Sequence, residues 1–252
     1  MAPVSDAIDR LIHAHGPETI CEVLAPMLTA ERIARIDQVI AARLGSVVAA
    51  VEDTYDPRNA AAAIRTTEAL GLHELHVVEP ELRFSAAKGV TRGAHRWIDL
   101  HRWPDAPACA HALRARGFRV LATLPDATSS IDEVDVSAPI AVMFGNEHAG
   151  LSAAALAACD GAVTVPMFGF TESFNLSVTV ALVLRALAQR RRAYISAPGD
   201  LPDELRAQLR ARWFALKIRG VVGVLERALG GAAPAVSGEP QPGCGKPNAA
   251  EG

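Results

Sequence analysis

The sequence predicts an α/β protein, with a mostly parallel sheet covered by helices on both faces. Three observations predict it. Short, continuous apolar runs of strand length alternate with longer segments of helical period. Those runs lack the apolar-polar alternation of strands with one wet face, so both sheet faces should be covered. The chain has 252 residues, half of them hydrophobic, which is enough to bury a sizeable core.

The elements follow in chain order. Residues 1–28 carry no decisive pattern. Thr29 is placed to cap a helix over 30–44, with Ile33, Ile36, Ile40 and Leu44 on one apolar stripe. Arg32, Arg35 and Arg43 fall mainly off that stripe, and Gly45 ends the helix. Residues 47–51 form a fully apolar strand. Asp56 followed by Pro57 is a strong helix start. That helix should run to Leu70 and stop at Gly71, a left-handed cap position. A strand follows at 75–78, a looser stretch over 85–95, and a strand near 97–100. A helix over 107–116 ends at Gly117. Residues 118–123 and 140–144 read as strands. Ser152 can cap a short helix reaching Cys159, and 162–165 is a strand ending at Pro166. A long helix spans 176–194, and a helical pair spans 202–217 and 220–229. Residues 231–252 are rich in Gly, Pro, Ala and Ser and cannot bury enough apolar surface to order themselves. The organisation expected is a helical N-terminal extension (1–44), a central α/β domain (45–195), a helical C-terminal extension (196–230) and a disordered tail (231–252).

Composition narrows the function. A net charge of -3 speaks against a nucleic-acid partner as a whole-chain average, but a local basic patch matters more than the total. Cys21, Cys109, Cys159 and Cys244 make no C-x-x-C pair and no Cys/His metal spacing, so they read as free thiols of a reducing cytosol. Asp6 and Asp9 with no apolar h-region argue against a signal peptide. The longest apolar candidate for a membrane helix, 176–184, is cut by Arg185. A cytoplasmic location is expected, with neither membrane nor metal involved.

Three segments carry polar residues that a plain α/β domain does not need. In the first, Glu52 to Asn59, Arg58 and Arg65 lie two helical turns apart on one face. Asn59 sits at the helix start, where backbone N–H groups and the dipole favour anions. The set suits a phosphate-bearing ligand; the alternative is a solvated helix with an Arg65–Glu68 pair. In the second segment, Phe144 to Ser152, Gly145 and Gly150 bracket a polar turn at the carboxyl end of a parallel strand, where ligands usually bind in such folds. Neither G-x-G-x-x-G nor the Walker phosphate loop is present. The third segment, Val165 to Val178, places Ser173, Asn175 and Ser177 within five residues. Helix capping explains one such residue and not three.

In this order the motifs P-R-N-x-x-A-x-x-R-T, F-G-N-E-x-x-G-L-S and V-P-M-x-G-x-x-x-S-F-N-L-S-V resemble those of the tRNA/rRNA 2′-O-methyltransferase branch of the SPOUT superfamily. The resemblance covers about residues 30–230 and is nearest to the tRNA guanosine-18 enzymes. Phe174 stands where many relatives carry Leu, and the N-terminal extension is less basic than theirs. The resemblance implies a deep C-terminal trefoil knot, a rare exception to the avoidance of knots, built from the second and third segments. It implies S-adenosyl-L-methionine as cofactor, contacted at Thr123, Gly145, Val165 and Phe174. It implies a homodimer with its site near the interface.

It also implies that Arg65 is the catalytic residue, as base or as phosphate clamp. A guanidinium is treated as permanently protonated, which favours the clamp. Asn59 would hold the helix start, Glu147 would fix the second loop or contact RNA, and Ser173 and Asn175 would organise the third loop and orient Arg65 or the nucleotide. His148 is a weaker candidate base. Arg32, Arg35, Arg43 and Arg58 are expected to meet RNA, with further candidates at Arg190, Arg191, Arg192, Lys217 and Arg219. The rival readings are a ribosomal RNA 2′-O-methyltransferase and a catalytically silent RNA-binding dimer. The missing glycine fingerprint counts against a nucleotide-binding oxidoreductase.

Overall fold

A computed structural model of the chain describes residues 4–53, 56–79, Thr91 and 93–230. The expected disordered tail and most of the loose stretch over 85–95 lie outside these residues. Among the described residues, six strands form one sheet: β1 (Val47–Glu52), β2 (Glu74–Val78), β3 (Asp99–Trp103), β4 (Arg119–Thr123), β5 (Ile140–Phe144) and β6 (Gly161–Val163). Their spatial order is β3-β2-β1-β5-β4-β6, and every pairing is parallel. The centre pairs Val47 with Ile140 and Val51 with Phe144. β1, β2 and β5 are buried almost throughout, as continuous apolar runs require.

Helices α1 (Val4–His15), α2 (Pro17–Leu24) and α3 (Ala30–Ala41) precede the sheet, and α4 (Pro57–Ala69), α5 (Ala106–Ala115), α6 (Ala153–Ala157) and α7 (Leu176–Ile195) are interleaved with its strands or follow them. α8 (Asp203–Ala215) and α9 (Val221–Gly230) close the described chain. The caps expected at Thr29, Asp56 and Ser152 accept backbone N–H groups of Arg32, Arg58 and Ala155. Gly71 takes φ 72°, a left-handed conformation that costs glycine little.

One sheet face packs on α4 and α7 through Ala49, Val51, Ile64, Val142, Val180 and Leu184. The other packs on α5 and α6 through Val48, Leu113, Val120 and Ala155. A separate core joins α1, α2 and α3 to α8 and α9, with Ile8, Ile20, Ile36, Trp213, Phe214 and Leu225 inside it. The two terminal extensions are thus one helical bundle, and residues 4–28, undecided from sequence, supply two of its helices.

The bundle corrects one site expectation. The helix expected over 30–44 ends at Ala41, and the chain then turns Arg43 inward. Arg43 is fully buried: Nη1 donates to the Leu72 carbonyl at 2.6 Å and Nη2 to Glu68 at 3.1 Å, with Cζ 5.2 Å from the Trp213 ring centre. It does not lie on an exposed RNA-facing surface. Glu68 is accordingly taken by Arg43, not by Arg65.

The run Arg190–Arg192 is likewise committed to carbonyls. Arg190 donates to Ile131 and Val134, Arg191 to Val136 and Ser137. Arg192 donates to Ala42 and Leu70, the C-cap residues of α3 and α4, and to Pro198. A cation at two helix carboxyl ends is well placed against both dipoles. The expectation that this run serves RNA gives way to a structural strap.

Candidate active site

A cleft of about 260 Å³ opens at the carboxyl ends of β4, β5 and β6. All four residues expected to touch cofactor line it: Thr123, Gly145, Val165 and Phe174. Glu147 and Ser173 line it too. Sequence reasoning missed Leu124, Thr164 and Thr179, which lie beside the motifs and carry no signal of their own.

The wall after β5 is a closed turn. Asn146 and Gly150 exchange backbone hydrogen bonds at 3.0 Å each, and the Asn146 Oδ1 accepts N–H groups of His148 and Ala149. Gly150 takes φ 68°. A Cβ on Gly145 would collide with the backbone of Gly150 and Leu151, so this position admits only glycine without moving the loop. Glu52, at the end of β1, anchors the far side: its two oxygens accept the Ser152 hydroxyl at 2.7 Å and N–H at 2.8 Å.

α4 is tied to this wall. Asn59 is buried at the start of α4, and its Nδ2 donates to Glu147 Oε1. Arg58 and Arg65 are both exposed on the same helix, and neither forms an ion pair among the described residues. Arg65 therefore stands on an element fixed to the cleft wall, with its guanidinium available to solvent.

In the third segment, the Asn175 Oδ1 caps α7, accepting the N–H of Ser177 at 2.9 Å and its hydroxyl at 2.6 Å. Capping thus accounts for two of the three polar residues there, and Ser173 alone of them faces the cleft. His148 is exposed on the turn. Arg32 and Arg35 lie on exposed α3, remote from this cleft.

Glu74, His76 and His101 bring three possible metal ligands together at the β2–β3 edge. The hydrogen bonding opposes a metal there. Trp103 Nε1, which can only donate, faces His76 Nδ1 at 2.8 Å. The neutral ring then carries its proton on Nε2, the atom a metal would need. Arg116 pairs with Glu74 at 2.7 Å instead: burial opposes the Glu74 charge, but hydrogen bonds from His101, His76 and Arg116 outweigh it and hold the carboxyl far below its ordinary range. Burial pushes the Cys109 and Cys159 thiols up to about 12 and about 11, so both are unreactive thiols.

The all-parallel sheet thus carries a ligand cleft at its carboxyl edge, walled by these motif loops, where ligands usually bind in such folds. Residues 46–185 match the model of the SpoU rRNA Methylase family, and the chain belongs to that family. It is 37% identical to a tRNA (guanosine(18)-2'-O)-methyltransferase of Borreliella burgdorferi over 68% of this chain and 78% of that one. It is 36% identical to the Thermus thermophilus enzyme of that name, over 73% of this chain and 96% of that one. The Aquifex aeolicus TrmH/SpoU tRNA modifying enzyme superposes with a TM-score of 0.67, at 26% identity, covering 75% of this chain and 97% of that one. The SpoU methyltransferase AviRb of Streptomyces viridochromogenes, crystallised with AdoMet, superposes at 0.54 with 25% identity, over 58% of this chain and 60% of that one.

Proposed function

We propose that the protein transfers a methyl group from S-adenosyl-L-methionine to a ribose 2′-hydroxyl of tRNA, at guanosine 18 of the D-loop. The observation that carries this is the tie between Asn59 and Glu147, which fixes the Arg65 helix to the wall of the cleft. The names of the relatives support the substrate.

The cleft suits the cofactor chemically. Its walls include Phe144, Val163, Val165, Phe174 and Leu176, with no Lys or Arg and one carboxylate, Glu147, among the described residues. That lining fits an adenosine that carries a sulfonium and no phosphate. When bound, the cofactor supplies an electrophilic methyl group. Arg65 clamps the phosphate beside the target ribose through a bidentate fork and so aligns the hydroxyl. Alignment of this kind is worth roughly 7–11 kcal/mol. Asn59 and Glu147 are positioning residues, Ser173 Oγ offers the hydroxyl a hydrogen-bond partner, and Asn175 holds the third loop through its cap. Arg58, Arg32 and Arg35 meet RNA phosphates.

The path from β6 at one sheet edge back to α7, packed on β1 and α4, is compatible with a trefoil knot. The active form is a homodimer, supported by exposed Phe174, Val178 and Leu182 beside the cleft. Free thiols suit a reducing cytoplasm.

The test is methylation of a tRNA transcript, of the same transcript with guanosine 18 replaced, and of ribosomal RNA fragments. Methylation of the first alone is expected. Equal activity on the replaced transcript overturns the position, and activity on ribosomal RNA alone moves the substrate to the rival reading.

A further inference from the structure

The loop that follows β5 is tied at both of its ends to the stretch that runs from the end of β1 into α4. At the near end, Glu147 accepts the Asn59 Nδ2. Just past the far end, Ser152 gives its hydroxyl at 2.7 Å and its N–H at 2.8 Å to the two oxygens of Glu52. Both bonds go to an ionised carboxylate, the stronger class of hydrogen bond. The same Ser152 Oγ accepts the Ala155 N–H at 3.1 Å and so caps α6. Glu52 therefore holds the start of α6 as well as the end of the loop.

α6 has little else to place it. Its five residues are too few to sustain a helix alone, and the sequence Ala-Ala-Ala-Leu-Ala offers small side chains for packing. Ala155 is buried, whereas Leu156 is exposed. Glu52 stands on firmer ground. It ends a strand that lies between β2 and β5, and it pairs with Val78 in the ladder. The next residue, Asp53, takes φ 45°, a left-handed conformation that Asp tolerates better than most residues. Its N–H donates to the Val78 carbonyl at 2.9 Å, which fastens the backbone beside Glu52 to β2. The sheet thus fixes Glu52, and Glu52 fixes the loop.

We propose that Glu52 is a positioning residue for the cofactor. It does not line the cleft; it acts through Ser152 on the loop residues that do, Gly145, Asn146, Glu147 and Gly150. Without this tie the loop keeps its Asn59–Glu147 bond and pivots about it, so Gly150 withdraws from the cleft while α4 and Arg65 stay in place. The inference rests on the reading of the chain as a methyltransferase that uses S-adenosyl-L-methionine. It divides the labour of the segment: Glu52 governs the cofactor, Arg65 the RNA.

The experiment measures cofactor binding by calorimetry, and methylation of a tRNA transcript with cofactor and tRNA varied in turn. Glu52→Ala should raise both Kd and KM for S-adenosyl-L-methionine at least tenfold and change KM for tRNA less than twofold. A merely destabilised enzyme loses kcat through its folded fraction and keeps its KM, so the split separates positioning from stability. Glu52→Asp keeps the charge but is one methylene short of Ser152, and should match Glu52→Ala. Glu52→Gln should return the cofactor KM to within threefold of the unmutated value, because its carbonyl accepts the Ser152 N–H and its amide donates to the Ser152 hydroxyl. If Glu52→Ala does not fold, Glu52→Asp carries the test. Unchanged cofactor affinity in either folded variant overturns the inference, as does an equal rise in KM for cofactor and tRNA, or no rescue by Glu52→Gln. If the unmutated chain binds cofactor but methylates no tRNA, the tRNA reading falls and the calorimetric comparison alone decides the role of Glu52.

Discussion

Arg65 and Asn59 share a helix and divide its labour. Arg65 is exposed, whereas Asn59 is buried against Glu147. Arg65→Ala should reduce methyl transfer at least tenfold, read as single-turnover rate, with cofactor affinity unchanged by calorimetry. Arg65→Lys should fail similarly, because an ammonium cannot form the planar fork. Asn59→Asp would set a second carboxylate against Glu147, and should lower both turnover and melting temperature more than Asn59→Ala does. The motif residues were legible because each occupies a local position, a helix start or a turn, that a window of sequence displays. Arg43 was not legible. It sits off an apolar stripe and so reads as surface, yet Glu68 and Trp213, distant in sequence, enclose it. Removing one partner of such a pair leaves the other unsatisfied. Arg43→Ala should cost about 3 kcal/mol, at the lower end for buried pairs because Glu68 is partly exposed. Chemical denaturation measures it.

At the scale of elements, strands and caps were readable because apolar runs, Asp-Pro and glycine stops are local. The strand expected near 97–100 forms at Asp99–Trp103 instead, because Glu74 to Val78 of β2, with the His73 carbonyl just before it, supply the ladder and fix the register from outside. The same edge gives a pH dependence. Burial holds His73 and His76 below the ordinary histidine range. The unfolded chain therefore binds more protons than the folded one as pH falls below about 6.5, and stability drops. Glu74, whose carboxyl is depressed by its hydrogen bonds despite burial, contributes stability above about 4.3 that is lost on further acidification. Melting temperature should thus decline from pH 7 to pH 5 and fall faster below pH 4.3. His76→Asn should flatten the first limb; an unchanged limb would remove His76 from this role.

Among the described residues, a core on each sheet face could be foreseen, and the core of the terminal bundle could not. The sheet core follows from runs of strand period, whereas the bundle of α1–α3 with α8 and α9 joins the two ends of the described chain, a pairing that no local pattern encodes. What remains on the outside is informative. Phe168 and Phe170 are fully exposed, and Phe174, just before the cap of α7, adds to Val178 and Leu182 on the start of that helix. The inner face of the same helix is buried through Val180, Val183, Leu184 and Leu187, so its apolar character on two faces exceeds what the monomer uses. A second copy of the chain covers this surface in the proposed dimer, and burial beside Phe174 would couple assembly to the cofactor cleft. Leu182→Asp combined with Val178→Asp places two charges on that surface and leaves the buried face intact. Sedimentation should show a dimer for the unmutated chain at micromolar concentration and a monomer for the variant. Because the cleft lies against that surface, methyl transfer should fall at least tenfold in the monomer while its circular dichroism is retained. A variant that stays dimeric would place the interface elsewhere, and a monomer with full activity would show that one chain completes the site.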